Sequence, residues 1–228
     1  MNIVKNLKDC RLKVEAACRR CGRDPGQVIL VGVTKYSDAA AVNEAVAAGL
    51  KDIAENRIQA ANEKFPQVNI AGITKHLIGH LQTNKAKEAV QLFDLIQSVD
   101  SIKLLDEIDK RAALAGKVQD ILVQVDIAKE EQKFGLPLEE VGAFLARVSS
   151  LNNVKLKGVM TMAPLTEDKE VIRSVFRRCH ELFETIGQDW SCSDRVRMNH
   201  LSMGMSSDYD IAIEEGATMI RLGHAIFG

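Results

Sequence analysis

The stretch VILVGVTKYSDAAAVNEAVAAG, residues 28–49, sets the terms for the rest of the chain. Residues 28–34 are apolar and rich in β-branched side chains without polar alternation, which is the pattern of a strand buried on both faces. Ser37 and Asp38 supply an N-cap and a first turn. The run 39–48 is helical, and Gly49 closes it. Outward from this unit the same alternation recurs. Strands are expected at 52–55, 75–79, 95–99, 120–127, 154–162, 197–202 and 218–222. Helices are expected at 57–65, 84–91, 101–115, 138–149, 169–186 and 207–215, with Pro66, Gly116, Gly187 and Gly216 as stops. Upstream, Ile3, Val4, Leu7, Leu12, Val14 and Ala17 recur at nearly helical spacing, so residues 1–20 read as a leading helix. Eight strands, each but the last followed by a helix, predict an α/β fold. It is a single (β/α)8 TIM barrel with an extra N-terminal helix. A doubly wound open sheet is the alternative. Eight strands are many for it, and no G-x-G-x-x-G follows the first strand.

Composition narrows the function classes. The 228 residues are 46% hydrophobic and 27% charged, which excludes wholesale disorder. Lys plus Arg number 30 against 31 Asp plus Glu, so the basic excess of a nucleic-acid binder is missing. No apolar run approaches the ~20 residues needed to span a bilayer. The charged N-terminus lacks the apolar core of a signal peptide, so no membrane partner and a cytoplasmic location are expected. Five cysteines, with Cys18 and Cys21 as a lone C-x-x-C, fit reduced thiols better than a zinc site. With four prolines and no low-complexity segment, nothing reads as a linker, and one domain over residues 1–228 is expected.

A barrel of this kind carries its site at the C-terminal ends of its strands, often with a phosphate site after strands seven and eight. After the first strand comes Lys35. Held at the end of a buried strand, its amine would be partly desolvated, which favours the neutral nucleophile; a solvated lysine is the other reading. After the second come Glu55, Asn56 and Arg57, either ligand contacts or a helix cap. After the third, His76 and His80 stand four apart, but not on a helix and without a carboxylate at ligand spacing, so a metal is poorly supported. After the fifth comes Lys133, in a charged loop. Met162, Met203 and Met205 read as core or pocket wall. After the seventh, Ser202-Met203-Gly204-Met205-Ser206-Ser207 offers close backbone approach, hydroxyls and a helix N-terminus to a phosphate. Asp208, in the first turn of that helix, would repel the anion and push it to one side. After the eighth come Arg221, Gly223 and His224. A phosphate site with a lysine at another strand end points to a phosphorylated aldehyde or ketone.

These residues also carry a resemblance. VGVTKYSD (31–38), AEN (54–56), HLIGHLQTNKAK (76–87), SVDS (98–101), VQVDIAKEEQKFGL (123–136), GVMTMAP (158–164) and LSMGMSSDYDIAIEEGATMIRLGHAIFG (201–228) run in order over nearly the whole chain. In them the chain resembles the pyridoxal phosphate homeostasis proteins, which share the fold-type III barrel of alanine racemase. The resemblance implies that pyridoxal 5'-phosphate forms an internal aldimine with Lys35. It implies that Ser202, Met203, Gly204, Gly223 and His224 cradle the phosphate, that Arg221 faces the pyridine nitrogen, and that Asn56 lines the pocket. Lys133 matches a lysine the family usually carries. Three positions depart from the family: His224 replaces a usual Thr, Ala54 a usual Gly, and Arg57 a frequent Tyr.

A cationic Arg221 beside the ring nitrogen would keep that nitrogen unprotonated and the electron sink shallow. A two-base racemase also needs a base opposite Lys35, which alanine racemase takes from a tyrosine brought by a second domain and the partner subunit. This chain ends at Gly228 and has only Tyr36 and Tyr209, so no such domain is expected. The expectation is therefore a monomeric pyridoxal phosphate carrier or buffer without substantial catalysis, with apoenzymes as partners. A slow amino-acid racemase or lyase is the alternative. A Schiff-base aldolase on a phosphosugar and a pure interaction domain stand behind these.

Overall fold

The computed structural model describes residues 2–128 and 134–228. Helix α1 (Ile3–Arg20) leads, capped by Asn2, whose side chain accepts the Lys5 N–H. Then come β1 (Ile29–Val33), α2 (Ala39–Ala47), β2 (Asp52–Glu55), α3 (Ile58–Lys64), β3 (Thr74–Leu77) and α4 (Ala86–Leu92). They are followed by β4 (Leu95–Val99), α5 (Ile102–Leu114), β5 (Gln119–Gln124), α6 (Val141–Ser149), β6 (Val154–Met160) and α7 (Lys169–Asp189). The chain closes with β7 (Val196–Ser202), α8 (Tyr209–Glu214), β8 (Met219–Leu222) and α9 (His224–Phe227).

All eight strands pair in parallel and in chain order, and β1 meets β8 as well as β2, with Ile29 opposite Met219 and Val31 opposite Asp52. The sheet is thus the closed (β/α)8 barrel that the alternation predicted. Closure leaves no unpaired edge. The caps lie where short polar side chains meet helix starts. Asp38 accepts the Ala41 N–H at 2.8 Å, and Asp168 accepts the Glu170 and Val171 N–H groups.

Several boundaries differ from the sequence reading. The last strand is followed by a helix after all, the single turn α9, tied back to Gly223 through the Ile226 and Phe227 N–H groups. Helix α7 runs past Gly187 to Asp189, because Gly187 packs on Met198 within the helix instead of ending it. Helix α8 begins at Tyr209 rather than Ser207, because Asp208 turns its carboxylate back to the Met205 N–H. Strands β5 and β6 stop at Gln124 and Met160, short of the positions expected from their apolar runs.

Two cores flank the sheet. The outer one lies between strands and helices and includes Phe93, Phe144 and Phe176. It continues under α1 through Leu7, Cys10 and Ala17. The inner one fills the barrel with Val31, Val33, Ala54, Leu95, Leu122, Met160 and Met219. Contrary to the apolar strand pattern, buried polar side chains share that interior: His76, Gln97, Ser202 and Arg221. Among the described residues no helix is long and apolar enough to cross a membrane.

Candidate functional site

The C-terminal ends of the strands surround a cavity of about 460 Å3. Lys35, Asn56, Arg221, Gly223 and His224 all line it, so residues far apart in sequence converge as expected. Lys35 reaches it from the turn after β1. Thr34, just before it, is fully buried, and its hydroxyl donates to Glu55 Oε1 at 2.6 Å. Lys35 itself is exposed and its Nζ lies 4.9 Å from the centre of the Tyr36 ring. The expected desolvation is therefore not met. β1 ends at Val33, and the turn carries the lysine beyond the packed layer.

Asn56 follows β2 directly. Its neighbour Glu55 is fully buried, with Oε1 held by Thr34 and by Lys64, whose Nζ also donates to the Thr34 carbonyl. Among the described residues, the second Glu55 oxygen and Asn56 Oδ1 are buried without a hydrogen-bond partner. Unpartnered buried acceptors are costly, so Asn56 Oδ1 at this wall is an open position for a ligand donor.

The loop after β7 divides differently from the expectation. Ser202 and Met203 are fully buried and, with Gly204, do not line the cavity; Met205, Ser206 and Ser207 do. Ser202 Oγ accepts from Arg221 Nη1 at 2.7 Å and donates to Gln97 Oε1 at 2.7 Å, so its hydroxyl is committed inside the barrel. Gly204 has φ +93°, and a Cβ there would lie 2.6 Å from the Ala212 Cβ. Only glycine makes this turn, which lifts the following residues to the cavity. Asp208, expected to repel an anion, is pinned away from it: Oδ1 accepts the Met205 N–H at 2.6 Å. Burial raises the Asp208 carboxyl above the ordinary range, against the Met205 bond and the Arg221 charge.

Arg221 is buried at the cavity floor and donates from Nη2 to the Thr161 carbonyl at 2.9 Å. Burial lowers its guanidinium to about 10, so it stays cationic at neutral pH. Beneath it the buried Cys179 thiol is pushed up to about 12. His224 and Gly223 sit at the rim, with Phe227 and Gly228 beside them. Met162 is a cavity wall, as is Met205, while Met203 belongs to the core. His76 and His80 are engaged by Asp52 with Gln97 and by Asp100 respectively. Among the described residues no cluster of His, Cys, Asp and Glu suits a metal. Lys133 lies outside the described residues. Two neighbours of the site escaped the sequence reading. Gln97 is hidden in the apolar run of β4 and no motif marks it; Tyr36 lies within VGVTKYSD (31–38) but drew notice only as a missing base.

Comparison with known proteins places the chain in a family. The family model described as alanine racemase, N-terminal domain, matches residues 10–228. The pyridoxal phosphate homeostasis protein of Aquifex aeolicus is 37% identical over 228 residues, covering 100% of this chain and 98% of that one. The protein of that name from Escherichia coli K12 is 32% identical, covering 100% and 96%. PipY of Synechococcus elongatus PCC7942, solved with PLP bound, superposes with a TM-score of 0.86 at 35% identity over 99% of this chain and 100% of its own. An alanine racemase of Clostridium difficile, 15% identical with a TM-score of 0.73, shares the fold over 55% of its length. The chain belongs to the pyridoxal phosphate homeostasis proteins, within the family of the alanine racemase N-terminal domain.

Proposed function

We propose that this protein binds pyridoxal 5'-phosphate in the 460 Å3 cavity as a Schiff base of Lys35 and serves as its carrier or buffer, without substantial catalysis. The observation that carries the reading is that Lys35 and the buried cation Arg221 line one cavity. Its volume lies within the range of about 300–1,000 Å3 usual for small-molecule sites. Asn56 Oδ1 offers a buried acceptor without a partner. The names of the relatives and the PLP-bound structure of PipY support the same reading.

The residues present fit the group. Lys35 would hold the aldehyde through its amine. Ser206, Ser207, Gly223 and His224 supply hydroxyl and backbone donors for the phosphate, and Asp208 is turned away from it. Ser202, Met203 and Gly204, expected in the same cradle, are buried behind the cavity wall. Arg221, fixed by Ser202 and Thr161, faces the ring nitrogen and opposes its protonation. When bound, the cofactor supplies an electron sink. Tyr209 is buried in the core against α1 and does not line the cavity, and Tyr36 shares the loop of Lys35. Neither tyrosine stands ready as a base opposite the lysine. A cytoplasmic, monomeric carrier that hands the cofactor to apoenzymes follows from this reading.

A slow racemase or lyase is the second reading. The observation favouring it is His224, an imidazole on the same cavity as Lys35.

The test is the absorbance spectrum of wild type and Lys35→Ala, before and after adding pyridoxal phosphate. A yellow band seen only with Lys35 and made permanent by borohydride supports the reading. No band in wild type at excess cofactor sinks it. Amino-acid turnover that vanishes in His224→Ala would favour the enzyme.

A further inference from the structure

We propose that Asp52, His76, Gln97 and Ser202 form a positioning relay that holds the Arg221 guanidinium in place at the cavity floor. This rests on the reading of the cavity as the cofactor site. The relay crosses the barrel interior through five strands: β2, β3, β4, β7 and β8. Arg221 Nη1 donates to Ser202 Oγ at 2.7 Å. Ser202 donates to Gln97 Oε1 at 2.7 Å. Gln97 Nε2 bonds His76 Nδ1 at 2.9 Å, and His76 Nε2 bonds Asp52 Oδ1 at 3.1 Å. None of Arg221, Ser202, Gln97 and His76 is more than 3% exposed.

The direction of every bond follows from the first. A guanidinium has no acceptor, so Ser202 Oγ must accept from it, and the single hydroxyl proton then goes to Gln97. The Gln97 amide is thereby oriented with its oxygen toward Ser202. Its nitrogen donates to His76 Nδ1 and also reaches Met219 Sδ at 3.1 Å. His76 must accept at Nδ1 and carry its proton on Nε2, which points at the Asp52 carboxylate. All four bonds run one way, from a cation at the cavity to an anion at the opposite end of the barrel, and such chains polarise one another.

Among the described residues no carboxylate makes an ion pair with Arg221. Its buried charge is hydrogen-bonded by Ser202 and the Thr161 carbonyl, reaches Asp52 through the chain, and feels the Asp208 carboxylate through space. An arginine held by one carbonyl alone would swing. Held by two acceptors, one at the end of β7 and one just past the end of β6, it presents a fixed charge to whatever occupies the cavity. Ser202 and Gln97 are thus positioning residues, which act on the cofactor only through Arg221.

The experiment compares wild type, Gln97→Met and Ser202→Ala, each with Arg221 intact and in an Arg221→Lys background. Cofactor affinity, the spectrum of the bound cofactor between pH 6 and 9, and thermal stability are measured. The expected result is that both variants still attach the cofactor at Lys35, with Kd raised roughly tenfold and a band whose position now depends on pH. In the Arg221→Lys background the same changes add less than twofold, because the group they act through has been replaced. The His76 ring, read by 15N NMR of the cofactor-free protein, is expected as the Nε2–H tautomer in wild type. Unchanged Kd and spectrum with only a lower Tm, fully additive effects, or an Nδ1–H tautomer would each overturn the relay. If Gln97→Met does not fold, Ser202→Ala, which deletes a single oxygen, decides. A wild type that takes up no cofactor overturns the functional reading itself. It is distinguishable from failure of the relay, in which wild type carries the band and the variants carry it unchanged.

Discussion

Gly79 and Asn56 are in backbone contact across the mouth of the barrel: a Cβ on Gly79 would lie 2.0 Å from the Asn56 carbonyl oxygen. On its other side the Gly79 carbonyl accepts the Ser98 hydroxyl at 2.6 Å. The glycine is therefore clamped between β4 and the residue after β2, and Asn56 holds its place on the cavity wall because nothing larger than hydrogen separates the two loops. Gly79→Ala cannot be relieved by a side-chain rotation, since the obstacle is backbone. The expected outcome is a displaced Asn56, a loss of stability of about 1–3 kcal/mol, and cofactor affinity at least tenfold weaker by absorbance titration. An unchanged Kd would show that Asn56 does not touch the ligand.

Glu55 is the buried anion beside the site, and Lys64 is its ion-pair partner, with a side chain only 11% exposed. Removing one member of such a pair strands the other. Glu55→Ala is expected to lower the free energy of unfolding by about 3–5 kcal/mol in urea, and Glu55→Gln by less, since the amide still accepts from Thr34. A loss below about 1 kcal/mol for Glu55→Ala would mean that water replaces the carboxylate.

Stability is expected to fall on the alkaline side. The folded Cys179 thiol is raised from the ordinary 9.0 to about 12, chiefly by burial. Burial also raises Cys10 and Cys18. A raised group contributes stability that is complete below the unfolded value and lost as pH climbs toward the folded one, because only the unfolded chain releases the proton. Arg221, lowered to about 10, and Lys117, also lowered by burial, act with the opposite sign, so the Cys179 contribution is read between pH 9 and 10 as the difference from Cys179→Ala. Urea midpoints under reducing conditions should decline across that interval. Cys179→Ala should flatten the slope by no more than about 1.4 kcal/mol per pH unit. Identical slopes in the two proteins would exclude Cys179 as the cause.

At the rim, His224 lines the cavity and is exposed, at a position where the resemblance implies a Thr. His224→Thr places a hydroxyl beside Gly223. One additional hydrogen bond is worth about 1 kcal/mol, so the cofactor Kd is expected to drop roughly fivefold. A rise in Kd would show that the imidazole itself binds the phosphate.

Much of this architecture was legible from the chain alone. The buried run at β1 followed by a helix recurs along the chain, with side-chain caps such as Asp38 and glycine stops such as Gly49 at some of the helices, and that period admits few folds besides a closed barrel. Strand ends are predictable from such a period. So Lys35, Asn56, Arg221, Gly223 and His224 could be named as site residues before any coordinate, and all five line one cavity. Helix ends that depend on packing were not legible: Gly187 reads as a stop, and only its seat against Met198 shows that α7 continues.

What sequence determined, then, is the alternation of strands and helices and the residues standing at the strand ends, because both follow from local patterns of period and capping. What only tertiary structure decided is where side chains point once the sheet closes. Ser202 and Ser206 belong to one short loop, yet the turn at Gly204 sends the first into the barrel and the second to the cavity. Lys35 follows a buried strand but emerges into solvent. Asp52, His76, Gln97, Ser202 and Arg221 lie on five strands, and no local pattern joins them; barrel closure alone brings them within hydrogen-bond distance.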